Sequence, residues 1–187
     1  VSWHQDGVTH WQSPDWDQGI HGFNFQIQLY NTTPANGLWI VPGSHKLGRI
    51  DIKKRVEDNG NERLPDAIPL VCAPGDVTIV NRQMLHGSFA NTSVDQRISI
   101  TIGFHRRASV LGQSSALAVE SGDVYDEKRV FERAAVIPVA IDARAKQYPN
   151  EARYCYQPFV GLEDDYRWNE QTFEKVIRNY SSKDLAI

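Results

Sequence analysis

Two segments of the chain alternate strictly between apolar and polar residues. Residues 23–29 read Phe-Asn-Phe-Gln-Ile-Gln-Leu, and residues 97–104 read Arg-Ile-Ser-Ile-Thr-Ile-Gly-Phe. Because successive side chains of a β-strand point to opposite faces, each segment predicts a strand with one apolar and one polar face. In most antiparallel sheets the polar face lies against solvent; the alternative is a polar face that lines an internal cavity.

Turn signals divide the rest of the first half of the chain into short segments. Residues that favour turns precede glycine at Asn36-Gly37, Pro42-Gly43, Asn59-Gly60 and Pro74-Gly75. We therefore expect residues 1–107 to be rich in β-structure. The charged segment 50–69 is expected to form a solvated loop or a short helix between strands, and a loop there would border the mouth of any cavity.

The second half of the chain has a different character. Residues 126–135, 140–147 and 171–180 have compositions typical of helices. Five aromatic residues lie between residues 154 and 168: Tyr154, Tyr156, Phe159, Tyr166 and Trp168. They predict either packing of the tail onto the barrel or a lid or substrate wall over a cavity. We expect one domain over residues 1–187, with a β core at 1–107 and a helical, aromatic-rich extension at 108–187.

Composition excludes several classes of function. The chain has 187 residues, of which 41% are hydrophobic, enough for one ordinary core. Its formal net charge is −3 and it contains no basic run, so we expect no nucleic-acid partner. No apolar stretch approaches the roughly 20 residues that span a bilayer, so we expect no membrane partner either. Cys72 and Cys155 form no C-x-x-C motif and indicate neither a zinc site nor a disulfide framework.

The candidate chemistry lies in two distant motifs, His4-Gln5-Asp6 and His86-Gly87-Ser88. On an extended strand His4 and Asp6 point to the same face, so both can reach one metal ion. His86 would complete the set from another strand. Two imidazoles and one carboxylate form the facial triad of non-haem Fe(II) oxygenases, which leaves coordination positions open. An H-x-D tripeptide alone is a weak signal, and a lone histidine at a strand end more commonly bonds to backbone.

Further motifs occur in a fixed order around this set. Asn36-Gly37 precedes Pro42-Gly43-Ser44-His45, a Pro-Gly-Asp turn follows at residues 74–76, and Arg97 lies eleven residues after His86. In this order and spacing the chain resembles the phytanoyl-CoA dioxygenase family of Fe(II)/2-oxoglutarate-dependent oxygenases. The resemblance covers roughly residues 1–107.

The resemblance implies a role for each matching residue. His4, Asp6 and His86 would bind Fe(II), and Arg97 would pair with the distal carboxylate of 2-oxoglutarate, because a guanidinium grips a carboxylate with two parallel hydrogen bonds. Ser88 would donate a further hydrogen bond to that carboxylate. These assignments favour the alternative in which the polar faces of the two strands line an internal cavity.

One residue departs from the family pattern. Gln26 stands where many members have an aromatic residue, ten positions before the Asn of the Asn-Gly turn. The co-substrate pocket is therefore expected to be lined differently here, with Gln26 as one of its residues.

The resemblance also implies a fold and an activity. The fold is a mainly β double-stranded β-helix, the jelly-roll or cupin-type barrel, with helices in the C-terminal extension. The activity is hydroxylation of an unactivated C–H bond of a small-molecule substrate, using Fe(II), 2-oxoglutarate and O2 and releasing succinate and CO2. Asp6 disfavours the halogenating branch, in which a small residue replaces the carboxylate. The alternatives are a non-catalytic cupin-like metal-binding module and a metal oxygenase that does not use 2-oxoglutarate.

Two expectations concern the ends of the chain. Family relatives carry a substantial portion before the H-x-D motif, so the N-terminal part of the domain is expected to be missing. The C-terminal residues 184–187 do not form the S-K-L peroxisomal signal, and a cytoplasmic location is the default expectation.

Two other histidines are weaker candidates. His10 follows the metal motif among several tryptophans, where relatives line the substrate pocket. His45 lies in the Pro-Gly-Ser-His block and is expected either to support the metal site or to make a structural hydrogen bond.

Overall fold

The structure is a computed structural model, and it describes residues 2–6, 19–114 and 124–178. The chain divides into two compact units, Val1–Ser109 and Val110–Ala186. A short helix, α2 (Arg107–Val110), lies at this boundary in the sequence. Each unit has its own cluster of buried apolar side chains.

The first unit contains two antiparallel sheets of three strands each, counted over the described residues. The strands are β1 (Gly22–Gln28), β2 (Leu38–Ile40), β3 (Ile68–Pro69), β4 (Val77–Asn81), β5 (His86–Ser88) and β6 (Ser99–His105). One sheet has the order β4-β1-β6 and the other the order β3-β2-β5. Strands that are neighbours in a sheet are therefore mostly distant in sequence. This pairing brings widely separated motifs together.

The two alternating segments form the centre and one edge of the first sheet. Asn24 of β1 pairs with Gly103 of β6, and Gln26 pairs with Thr101, in an antiparallel register. Since directly paired residues share a face, the polar residues of both strands lie on one side of the sheet. Arg97 lies two residues before β6 begins, so the predicted strand 97–104 starts later than expected.

The apolar face of this sheet is less buried than the alternation predicts. Ile79 is 65% exposed and Ile100 is 48% exposed. Alternation specifies which side chains share a face, but burial depends on what packs against that face. Within the described part of the chain, these two side chains are therefore more exposed than expected for a half-buried strand.

The second sheet is extended by the first residues of the chain. His4 forms an antiparallel bridge with His86 on β5. Trp3 and Leu85 are buried beside this bridge, together with Val41 and Leu64, and they form the apolar core of the unit. Trp3, the residue directly before the H-x-D motif, is therefore part of this core.

The polar segment 50–69 contains a helix, α1 (Ile52–Asn59). Asp51 begins it by accepting a hydrogen bond from the Lys54 backbone N–H at 3.0 Å, which satisfies one of the free donors of the first turn. Gly60 ends it in the left-handed conformation, with a φ of 64°. Of the two predicted forms of this segment, the structure contains the short helix.

The second unit is helical. Its helices are α3 (Glu127–Ala134), α4 (Val136–Gln147) and α5 (Glu170–Arg178). All three overlap the predicted helical segments, and α4 begins four residues earlier than predicted. Pro138 lies in its first turn, where a missing backbone N–H costs nothing. The predicted end of the last helix, residues 179–180, lies outside the described residues.

The aromatic stretch contributes Phe159 to the core of this second unit, where the other buried residues are Ala135, Val139 and Val176. The Phe159 ring is 1% exposed and stacks on Phe131 at a centroid distance of 4.3 Å. Tyr156 and Tyr166 contact Phe159 on its other sides. These rings pack against one another within the second unit, and both predicted roles, packing onto the barrel and a lid, stay predictions. The chain as a whole mixes α and β structure, so the description "mainly β" applies to the first unit alone.

Candidate metal centre

The two halves of the H-x-D and distal-histidine motif meet at one point in the first unit. One ligand atom from each of His4, Asp6 and His86 lies within 4.8 Å of the others. His4 Nε2 is 3.6 Å from Asp6 Oδ1, and His86 Nε2 is 3.8 Å from Asp6 Oδ2. The two imidazole rings are 4.1 Å apart between centroids. The structure therefore brings together the three residues that the sequence singled out.

Backbone hydrogen bonds hold these residues in register. The backbone N–H of His4 donates to the carbonyl of His86 at 2.9 Å, and that of His86 donates back at 3.0 Å. The N–H of Asp6 donates to the carbonyl of Arg82 at 2.9 Å. These hydrogen bonds fix the main chain at His4, Asp6 and His86. They therefore also fix the positions from which the three side chains project.

Gln5 points away from the metal face, as the strand geometry requires. Its side chain is 8% exposed, donates to the Gln83 carbonyl at 2.8 Å and accepts from the Ile50 N–H at 3.0 Å. Gln5 thus ties the candidate ligand segment to the residues just before α1 and to those just before β5. This fixes the face on which His4 and Asp6 lie.

Both histidines are oriented by a backbone carbonyl. His4 Nδ1 contacts the Ser2 carbonyl at 2.8 Å, and His86 Nδ1 contacts the Met84 carbonyl at 2.8 Å. A carbonyl can only accept, so Nδ1 carries the proton in each ring. In the neutral imidazole this leaves the lone pair on Nε2, the atom that faces Asp6. Such carbonyl contacts are the usual outer support of metal-bound histidines.

The electrostatics keep His86 in the form that a metal needs. Burial lowers the pKa of His86 below its ordinary value, and His4 and Arg82 lower it further, against the opposing effects of the Met84 carbonyl and Asp6. A lowered pKa keeps the ring neutral at pH 7. Lone pairs of two imidazoles and a carboxylate then converge on a small volume, an arrangement that a cation stabilises.

The spacing fits a divalent transition metal. Metal–imidazole bonds are about 2.1 Å long, so two ligand atoms at right angles lie about 3 Å apart. The observed separations of 3.6 and 3.8 Å exceed this by less than 1 Å, within the range of small side-chain rotations. Two nitrogens and one oxygen also match the ligand type of non-haem Fe(II) sites.

Asn24 and Arg82 support Asp6 from the polar face of the first sheet. Asn24 Nδ2 donates to Asp6 Oδ2 at 3.0 Å, and Arg82 Nη1 donates to Asn24 Oδ1 at 2.9 Å. Burial lowers the pKa of Arg82, and the charge of Asp6 opposes that shift. The alternating strand indicated that Asn24 lies on the polar face, but no motif in the sequence identified Arg82.

Arg97 is exposed, and its Nη1 donates to the Asn36 carbonyl at 3.1 Å. Arg97 lies two residues before β6 rather than within it, and its contact with the distal carboxylate of 2-oxoglutarate stays a prediction. Ser88 is 8% exposed on β5, two residues after His86 and on the same face. Gln26 Nε2 donates to Ser99 Oγ at 3.3 Å.

The polar face of β1 carries buried acceptors. Gln26 Oε1, Gln28 Oε1 and Thr78 Oγ1 are buried without a hydrogen-bond partner among the described residues. Gln26 and Thr78 are direct partners across β1 and β4. Buried polar atoms usually have a partner, so this face is suited to a polar ligand.

A cavity of about 510 Å³ is lined by Ser88, but by none of the three clustered residues His4, Asp6 and His86. It lies between α1 and the end of β5, with Ile52 and Val56 on one side and Ser88 and Phe89 on the other. Lys53, Glu57 and Glu62 also line it. The segment 50–69 thus lines this cavity as a helix, and the expectation that it borders the mouth of the metal site stays a prediction.

Of the two weaker histidine candidates, His10 and His45, the structure describes only His45. His45 lies in a short 3-10 helix, Ser44–Lys46, and is not among the clustered ligand residues. His10 and its neighbouring tryptophans lie outside the described residues. Over the part of the chain that the structure describes, no helix combines the length and apolar character needed to cross a membrane.

The part of the chain that carries His4, Asp6 and His86 matches a known protein family. The profile of the phytanoyl-CoA dioxygenase (PhyH) family matches residues 1–99. Phytanoyl-CoA dioxygenase 1 of Oryza sativa subsp. japonica is 28% identical over 107 residues, which cover 53% of this chain and 36% of that protein. The chain therefore spans about a third of this relative.

Two solved structures are similar over a comparable part. EvdMO1 is 32% identical, with 57% of this chain and 23% of that chain covered and a TM-score of 0.44. AviO1 from Streptomyces viridochromogenes Tue57 is 28% identical, with 58% and 44% covered and a TM-score of 0.46. Because the profile match covers more than half of the sequence and includes the whole triad, the chain belongs to the phytanoyl-CoA dioxygenase family.

Proposed function

We propose that this chain is the catalytic part of an Fe(II)- and 2-oxoglutarate-dependent dioxygenase that hydroxylates an unactivated C–H bond of a small molecule. Succinate and CO2 would be the co-products, and the first unit would be part of a double-stranded β-helix. The observation that carries the proposal is the convergence of His4, Asp6 and His86 within 4.8 Å. Membership of the family supports the same activity.

His4, Asp6 and His86 would hold the iron, with each imidazole presenting Nε2. When bound, Fe(II) supplies the oxidative chemistry with O2, and the protein orients the reactants and excludes water. The carbonyls of Ser2 and Met84 keep both rings in the required tautomer. One carboxylate and two neutral rings leave three positions for the co-substrate and O2.

The co-substrate would bind along the polar face next to the triad. Arg97 would meet the distal carboxylate of 2-oxoglutarate, with Ser88 and Gln26 as further contacts. Support comes from the burial of Ser88 beside His86 and from the buried acceptor Gln26 Oε1. Arg97 would exchange its contact with the Asn36 carbonyl for the stronger, charge-assisted contact with a carboxylate.

The decisive experiment is anaerobic addition of Fe(II) and then 2-oxoglutarate to the 187-residue chain. We expect a weak visible charge-transfer band from the chelate, absent in His86→Ala, and succinate release when O2 is admitted. Iron binding without the band would favour an oxygenase that does not use 2-oxoglutarate. Iron binding without band or O2 consumption would favour a metal-binding module.

A further inference from the structure

We infer that Arg82 is a positioning residue of the metal centre, which orients the ligand Asp6 through Asn24. This inference rests on the proposed metal site and adds a residue to it. Its basis is a continuous chain of hydrogen bonds: Arg82 Nη1 to Asn24 Oδ1 at 2.9 Å, then Asn24 Nδ2 to Asp6 Oδ2 at 3.0 Å.

The first link fixes the orientation of the amide. The oxygen and nitrogen of an asparagine side chain can exchange places by a flip, and only the neighbours decide between the two orientations. A guanidinium has donors and no acceptor, so the Asn24 atom beside Arg82 must be the oxygen. The Asn24 amide nitrogen therefore faces Asp6, where its N–H donates to the carboxylate.

The second link fixes the carboxylate. A hydrogen bond to Oδ2 occupies a lone pair of that oxygen and restricts rotation of the Asp6 side chain. The remaining lone pairs then face His4 and His86, which lie 3.6 and 3.8 Å away. Such outer contacts orient metal ligands, and their loss typically costs about 10–100-fold in metal affinity or activity.

The sheet is shaped to admit the Arg82 side chain. A Cβ atom added at Gly103 would lie 2.6 Å from Arg82 Nη1 and 3.1 Å from Asn24 Oδ1. One added at Gly22 would lie 2.8 Å from Arg82 Cδ. Glycine within a strand commonly marks the close approach of another group. Here two glycines on neighbouring strands leave a channel across the polar face for this arginine.

The main chain of Arg82 holds the same elements together. Its carbonyl accepts from the Asp6 N–H at 2.9 Å, and its N–H donates to the Gly22 carbonyl at 3.1 Å. Arg82 therefore fixes both the backbone and, through Asn24, the side chain of Asp6. The residue lies four positions before His86, so one short segment positions two of the three ligands.

The test is a double-mutant cycle on Co(II) affinity, with the Co(II) absorption spectrum as a second readout. The variants are Arg82→Met, Asn24→Ala and the double variant, each with the thermal unfolding midpoint of the apoprotein. We expect each single variant to lose about 10–100-fold in affinity. The double variant should lose less than the sum of the two single losses, because part of the effect of Arg82 passes through Asn24.

Two further variants separate positioning from folding. Arg82→Lys keeps a donor for Asn24 Oδ1 and should restore most of the affinity. Gly103→Ala keeps every polar group but displaces the guanidinium, so it should reproduce the loss even if Arg82→Met fails to fold. Ile102→Val, on the opposite face of the same strand, is the matched control and should bind Co(II) like the unaltered chain.

Three outcomes would overturn the inference. These are wild-type affinity in folded Arg82→Met, wild-type affinity in Gly103→Ala, or losses that add in the double variant. If the unaltered chain bound no Co(II), or bound it equally after His86→Ala, the proposed metal site itself would fall. The two failures are therefore distinguishable.

Discussion

Two carboxylates, Asp6 in the first unit and Asp142 in the second, have contrasting surroundings. The Asp142 side chain is 3% exposed, and every group around it is a donor: Lys146 at 3.3 Å, Arg153 at 3.0 Å, Arg167 at 3.0 Å and the Trp168 N–H at 2.7 Å. Asp6 is 24% exposed and faces two imidazole nitrogens that carry lone pairs.

This contrast separates a structural acid from a candidate ligand. Burial alone would raise the pKa of Asp142, but the Trp168 N–H, Arg167 and Lys146 together lower it below its ordinary value. The charge of Asp142 is thus satisfied within its own unit. The acceptor atoms around Asp6 converge on one another, and a metal cation would satisfy all three at once.

The largest expected effect is the loss of a ligand. His86→Ala and Asp6→Ala should each lower metal affinity by more than the about 10–100-fold typical of outer contacts, since they remove a bond to the metal itself. Bound iron after dialysis measures this, with His45→Ala as the histidine control. If His86→Ala retained iron, Asp6 would no longer differ from Asp142 as part of a candidate metal site.

Asp142→Asn should act on stability instead. Removing the carboxylate leaves its partly exposed basic partners without their common acceptor, and loss of a partner for hydrogen-bonded groups costs about 1 to 3 kcal/mol. Urea unfolding would measure this loss. Metal affinity should stay unchanged, because the ion-pair partners of Asp142 given above all belong to the second unit. A fall in metal affinity with unchanged stability would reverse the two assignments.

Arg97→Ala should affect the co-substrate and leave the metal in place. Loss of one partner of a charge pair costs about 2 kcal/mol at the low end of the usual range, which suits a side chain that is exposed. At 1.4 kcal/mol per tenfold, the apparent constant for 2-oxoglutarate should rise about thirtyfold. Arg97→Lys should fall between. Titration at fixed Fe(II) gives the comparison, and an unchanged constant in Arg97→Ala would remove Arg97 from the site.

The smallest effect is on the pH dependence of stability. A carboxyl group whose folded pKa is lowered adds stability above its unfolded pKa of about 3.9, and this is lost as the pH falls through the folded pKa. Unfolding free energies measured from about pH 5 downward should therefore fall less steeply in Asp142→Asn than in the unaltered chain. Parallel curves would mean that Asp142 has an ordinary pKa in the folded protein.

The sequence alone determined the three candidate ligand residues and the local periodicity. The H-x-D spacing places His4 and Asp6 on one face because a strand has a two-residue period. The alternation in residues 23–29 likewise predicted that Asn24 and Gln26 share a polar face. The helices of the second half were predicted from composition, because helix propensity is a local property of the residues in the segment.

Tertiary structure decided what depends on distant pairing. Only the antiparallel β1–β6 register aligns Gly103 with Asn24 and so makes room for Arg82. Only folding reveals that Arg97 is exposed and that Asp142 is surrounded by donors. These properties depend on contacts between residues far apart in sequence, and no local pattern specifies them.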